Sequence, residues 1–135
     1  MSEAISGERM LPLLVEADPM FEPVWLEWMA EWSSEPAPPY YIALSILARH
    51  LIATLDRGET TRFSAVFDVV ERWHVEGDKY VRDAATVGLL EDLQNTNLHT
   101  RTQPSDFEPW LRPVSRKFWD KVNRFWSHGE IITSE

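Results

Sequence analysis

The chain has 135 residues, 44% of them hydrophobic and 26% charged, and it contains no cysteine. That is enough apolar material for one ordinary buried core, and it excludes a disulfide scaffold, a thiolate zinc site and a cysteine nucleophile. The formal net charge of −9 repels phosphate backbones, which argues against nucleic-acid binding, and it attracts a basic protein partner.

The N-terminus carries Glu3, Glu8 and Glu16 and has no basic region ahead of an apolar run, so no secretory signal is expected. The longest apolar stretch, 40–47, is interrupted by Ser45 and falls far short of the roughly 20 residues that cross a bilayer. The expectation is a cytoplasmic protein without membrane contact, built as a single helical domain over 1–135. Its charge is uneven: −7 over the acidic, Trp-rich section 1–38, −3 over the core section 39–98, and +1 over the loop and final helix at 99–135.

In chain order, a short helix is expected over 8–16 despite Pro12, and a second from Pro23, which suits a first helical turn, to about Trp32. Pro36, Pro38 and Pro39 then break the chain. Tyr40 to Asp56 is apolar on most sides and should be the most buried helix, with Gly58 where a C-terminal cap belongs. The clearest pattern lies between Glu59 and Gln94. Phe63, Val66, Phe67, Val70 and Trp73 recur at helical spacing, after Thr60 or Thr61 as a cap. Gly77 is expected in the left-handed conformation and Asp78 as the N-cap of a second helix. On that helix Val81, Ala84, Ala85, Gly88, Leu89 and Leu93 mark the buried side, and the small residues admit a close neighbour. Residues 95–105 read as a polar loop and 107–111 as a single turn. Ser115 starts a last helix with Phe118, Trp119, Val122, Phe125 and Trp126 on one face.

No stretch alternates as a strand would. The predicted fold is all-α: five to six helices in antiparallel hairpins, forming either a short HEAT- or armadillo-like stack or an irregular bundle. Residues 72–95, with the run HVEGDKYVRDAATVGLLEDLQN, are followed by Phe107-Glu108-Pro109-Trp110-Leu111 and Pro113-Val114-Ser115-Arg116. Together they resemble a family of small, uncharacterised bacterial all-helical proteins, over roughly residues 40–126. The resemblance implies a HEAT-like helical stack and an immunity-like or other interaction role rather than an active site.

The residues themselves offer little chemistry. His74, Glu76 and Asp78 sit close in sequence, but spacing by two around a helix-ending glycine does not place three ligands on one face, so no metal is expected. His74 reads instead as an imidazolium closing a helix C-terminus. His50 reads as an ordinary partly buried histidine, and His99 and His128 as loop or tail residues. The glycines are dispersed and form no phosphate loop, no nucleophile elbow is present, and neither a cofactor nor a catalytic residue is expected.

Two features point to a partner. Trp25, Trp28 and Trp32 fall at i, i+3 and i+7, a stripe that serves either as core or as a binding groove. On the same helix Glu27 and Glu31 are like charges at i, i+4, flanked by Asp18, Glu22 and Glu35, and they invite a cation. Arg116, Lys117, Lys121 and Arg124 can supply it from within, or another protein can. The expected function is a non-enzymatic interaction protein, in its most concrete form an immunity protein that neutralises a basic toxin. Glu27, Glu31, Glu71, Glu76, Asp78, Glu91 and Asp92 are the partner-binding candidates. The alternative is a structural or regulatory subunit that forms a homodimer through its Trp-rich helices.

Overall fold

The computed structural model describes residues 3–128; residues 129–135 of the predicted C-terminal section and the side chain of His128 lie outside the described residues. Among the described residues seven α-helices follow one another: α1 (Gly7–Ala17), α2 (Glu22–Glu31), α3 (Tyr40–Asp56), α4 (Phe63–Glu76), α5 (Lys79–Asp83), α6 (Glu91–Leu93) and α7 (Pro113–His128). The predicted number, five to six, is close. It differs chiefly because residues 84–90, expected within one regular helix, wind as a π-helix and divide that rod into α5 and α6. Among the described residues there is no β-strand, only a single parallel bridge between Ile5 and Gly77.

One hydrophobic cluster runs from Ile5 to Val122. α1 continues through Pro12 because that ring lies on the solvent side, while Met10, Leu11 and Leu14 are fully buried and hold the helix against α4. Trp25 and Trp28 are buried and stacked 5.5 Å apart, and Trp28 also meets Tyr40 of α3 at 5.9 Å. Trp25 and Trp28 of the α2 stripe are therefore core, with Trp32 half-buried against them.

Contrary to what its composition suggests, α3 is not the most buried helix: it buries 7 of its 17 residues where α4 buries 7 of 14, because Ile42, Arg49 and Ala53 face outward. It packs chiefly on the π segment. Close approach is made possible by Gly88, where a Cβ would stand 3.2 Å from the Leu44 side chain. At the end of α3, Gly58 takes φ +75, so that Glu59 N–H reaches back to the Thr54 carbonyl at 3.0 Å.

The turn between α4 and α5 departs from expectation. Asp78 caps α5 as predicted, accepting from Val81 N–H at 2.9 Å. Gly77, however, is extended (φ −72, ψ 153) and not left-handed. Its requirement is space: a Cβ there would meet the Trp73 carbonyl oxygen at 2.2 Å and Val81 Cγ1 at 2.4 Å. Ile5 fastens the same point, donating to the Glu76 carbonyl at 2.8 Å and accepting from Asp78 N–H at 3.0 Å.

Neither Thr60 nor Thr61 caps α4. Arg62 occupies the N-cap position without a side-chain bond, and Thr60 offers only its backbone carbonyl to Phe63. The expected turn near 107–111 is a 3₁₀ helix, Pro104–Trp110, closed by a capping box of Gln103 and Asp106. It carries Phe107 into the core against Phe63 and Phe67. On α7 the predicted face is split: Phe118, Trp119 and Val122 are buried, whereas Phe125 and Trp126 are exposed.

Candidate functional site

A buried polar relay joins α4, the π segment and α7. His74 is 3% exposed, and burial pushes its pKa down to about 4, so it is a neutral imidazole and not the imidazolium expected from sequence. Its Nδ1 lies 3.1 Å from both the Val70 carbonyl and Ser115 Oγ. A carbonyl only accepts, which places the proton on Nδ1. Nε2 is then an acceptor facing the Thr86 hydroxyl at 3.2 Å, a hydroxyl that the Arg82 carbonyl also draws at 3.0 Å. The Ser115 hydroxyl donates to Glu71 Oε1 at 2.9 Å. Both ring nitrogens of His74 are thus occupied inside the protein, and Ser115 is fully buried. The relay is an internal fastening.

Glu71 completes it from the half-buried surface of α4. One oxygen accepts Ser115 N–H at 2.8 Å and the other accepts Val114 N–H at 3.0 Å, so this carboxylate caps the start of α7 from another helix. Burial raises its pKa, but these backbone bonds and the Ser115 hydroxyl outweigh it and hold the carboxyl below its ordinary value. Sequence patterning gave no sign of this, because the two ends are brought together only by the fold.

The other candidate acids divide in the same way. Glu76 pairs with Arg72 at 3.0 Å, one turn away on α4. Asp78 is committed to capping α5. Glu91 and Asp92 are half-buried, and burial together with Asp92 raises the pKa of Glu91. Glu27 and Glu31 are exposed on α2, and neither side chain forms a hydrogen bond or ion pair with any described residue. The internal cation foreseen from the C-terminal third does not reach them. Arg112 instead pairs with Asp68 at 2.8 Å, and Arg116 lies 3.8 Å from Glu108.

The outer side of α2 is also apolar. Val24, Glu27 and Glu31 fall at i, i+3 and i+7 on one stripe, with Met20 at its head, 65% exposed. Leu26, 58% exposed, lies on the adjoining face with Ala30. Glu22 and Glu35 are exposed at the two ends. With Trp25 and Trp28 fixing the inner side, the helix presents this acidic and apolar face as a rigid ridge.

Beside the head of the ridge lies a half-enclosed cleft of about 390 Å³ between the start of α2, the end of α3 and the start of α4. Asp18, Met20, His50, Arg57, Arg62 and Phe63 are among the residues that line it. Among the described residues, no three His, Asp or Glu side chains gather as a metal site, and no helix is long and apolar enough to cross a membrane.

A protein-family model described as a domain of unknown function (DUF7674) matches residues 11–127, and the chain belongs to that family. No curated protein and no solved structure matches it.

Proposed function

We propose that this member of the DUF7674 family is a non-enzymatic binding protein whose α2 ridge receives a basic protein partner. The observation that carries this reading is the pair Glu27 and Glu31, exposed beside Val24 and Leu26 and without a cation among the described residues. Like charges one turn apart cost a few tenths of a kcal/mol in an isolated helix. A basic surface relieves that repulsion, while Met20, Val24 and Leu26 supply apolar area that is withdrawn from water on docking. The chain's charge of −9 speeds the encounter with such a partner. In its most concrete form the reading is an immunity-type neutraliser of a basic toxin, acting in the cytoplasm from a short, stacked helical scaffold.

A photo-crosslinker placed at Ala30 in the cells that make the protein tests this. The expected product is a covalent adduct with a basic protein that is lost when Glu27 and Glu31 are both changed to Lys. An acidic adduct, or one indifferent to the reversal, contradicts it. Self-association has one observation in its favour: Trp126, 50% exposed, and Phe125 lie 5.6 Å apart on the outer end of α7. Light scattering on the intact protein and on Trp126→Ser checks for a dimer held by that pair.

A further inference from the structure

The cleft beside α2 is built around a positioned histidine. Asp18 ends α1 and caps the turn into α2, accepting Met20 N–H at 3.2 Å through Oδ1. Its other oxygen lies 2.9 Å from His50 Nε2 on α3, with the Asp18 side chain 4% exposed and that of His50 15% exposed. A carboxylate oxygen accepts, so Nε2 is the donor of this bond. The ring's other nitrogen, Nδ1, has no hydrogen-bond partner among the described residues. Phe21 lies against the imidazole at a tilt of 56°, with the ring centres 5.2 Å apart. A histidine anchored by a buried carboxylate and a neighbouring ring is pre-organised on the wall of a cavity.

The cleft is neutral in an acidic chain: counting histidine as uncharged, Arg57 and Arg62 balance Asp18 and Glu59. Both of its carboxylates are engaged, Asp18 with His50 and Glu59 with Arg57 at 2.6 Å. The side chain of Arg62, an exposed residue on the lining, makes no hydrogen bond or ion pair with any described residue. In a protein of net charge −9 this hollow thus presents a guanidinium that no side chain among the described residues engages. That group offers a planar fork of donors matched to carboxylate and phosphate oxygens. Met20 and Phe63 add apolar wall, and a volume of about 390 Å³ falls in the range of small-molecule sites.

We infer that the cleft is a binding site for a small organic oxyanion, a molecule with a carboxylate or phosphate-monoester group and a short apolar body. Arg62 holds the anionic group, His50 meets it or an adjoining polar atom, and Met20 and Phe63 cover the body. Neither Glu27 nor Glu31 takes part; the site shares Met20 with the α2 ridge, and the Arg62 and Glu27/Glu31 variants distinguish the two.

The test is a titration of the full chain, followed by amide and histidine NMR resonances, with phenyl phosphate, benzoate and benzyl alcohol as probes. Phenyl phosphate, benzoate or both are expected to shift resonances of 18–20, 50 and 57–63 saturably, and which of them binds tighter tells phosphate from carboxylate. Benzyl alcohol is expected to bind at least tenfold more weakly than the better anion. Arg62→Gln, an exposed and unpaired position, should leave the spectrum folded and weaken anion binding about tenfold. Asp18→Asn, which loosens the His50 ring, should weaken it less and move the His50 resonances in the free protein. Saturable shifts from neither anion, equal binding of benzyl alcohol, or unchanged affinity in Arg62→Gln overturns the inference.

Discussion

Glu71 and Ser115, 44 positions apart, are joined twice through a single carboxylate oxygen: it accepts the Ser115 N–H at 2.8 Å and the Ser115 hydroxyl at 2.9 Å. The second oxygen takes the Val114 N–H at 3.0 Å. A helix start that would otherwise have orphan N–H groups is thereby capped from α4, and α7 is fixed against the core by a side chain outside it.

Glu71→Ala should destabilise the protein by about 1–3 kcal/mol, because it leaves partly buried donors without an acceptor. Glu71→Gln retains one acceptor oxygen and should cost less. Urea unfolding followed by tryptophan fluorescence measures both. Equal stability of wild type and Glu71→Ala would show that α7 docks without this cap.

Acidification should unfold the protein in two windows. His74 has a folded pKa of about 4 against an ordinary value of 6.5, so between these limits the unfolded state binds more protons. Stability is then full above about 6.5 and falls as the pH drops toward 4, by on the order of 3 kcal/mol in total. The Glu71 carboxyl is held below its ordinary value, so its contribution is present above that value and is lost at still lower pH. His74→Gln should abolish the upper window and leave the lower. A wild-type stability that is flat from pH 7 to 5 contradicts the assignment.

The two turn glycines should respond differently to alanine. At Gly58 a Cβ meets nothing within 4 Å, so only the positive φ is penalised, at about 1 kcal/mol. At Gly77 the added carbon would overlap the Trp73 carbonyl and Val81, and relief requires the Ile5 bridge to shift. Gly77→Ala should therefore lose clearly more than Gly58→Ala, about 3 kcal/mol, the upper end of what overpacking costs. Comparable losses at the two sites would refute the distinction.

Much of this arrangement is legible in local sequence. The apolar spacing of Phe63 to Trp73, the Asp78 cap and the Gly58 terminus are properties of short segments, and the structure reproduces them. What was not legible depends on packing that residue spacing does not reveal. Gly77 is required for space and not for its φ, since the obstructing atoms include Trp73 and Val81, four residues to either side. The π winding over 84–90 buries Ala84, Ala85 and Thr86 in succession, a pattern that helical periodicity at 3.6 residues per turn does not suggest. His74 reads as a helix-end cation until Ser115 and Thr86 are seen to enclose it. Asp18 and His50 are 32 positions apart, and no local signal relates them. Of the seven acidic candidates, Glu71, Glu76 and Asp78 have partners of their own, and Glu27 and Glu31 are left as the exposed pair on α2.

Reversal of charge on α2 should separate stability from binding. Glu27→Lys replaces a repulsive i, i+4 pair with an attractive one and should stabilise the fold by a few tenths of a kcal/mol. A change in the opposite direction would reveal an intramolecular role for Glu27.

The most direct measurement is the association rate between the protein and the partner crosslinked at Ala30, taken at low and high salt for wild type and for the Glu27→Lys, Glu31→Lys double variant. A binding ridge predicts fast, salt-sensitive association for wild type. For the variant it predicts a rate at least tenfold slower at low salt, with most of the salt dependence gone. Equal rates and equal salt dependence in the two proteins would contradict it.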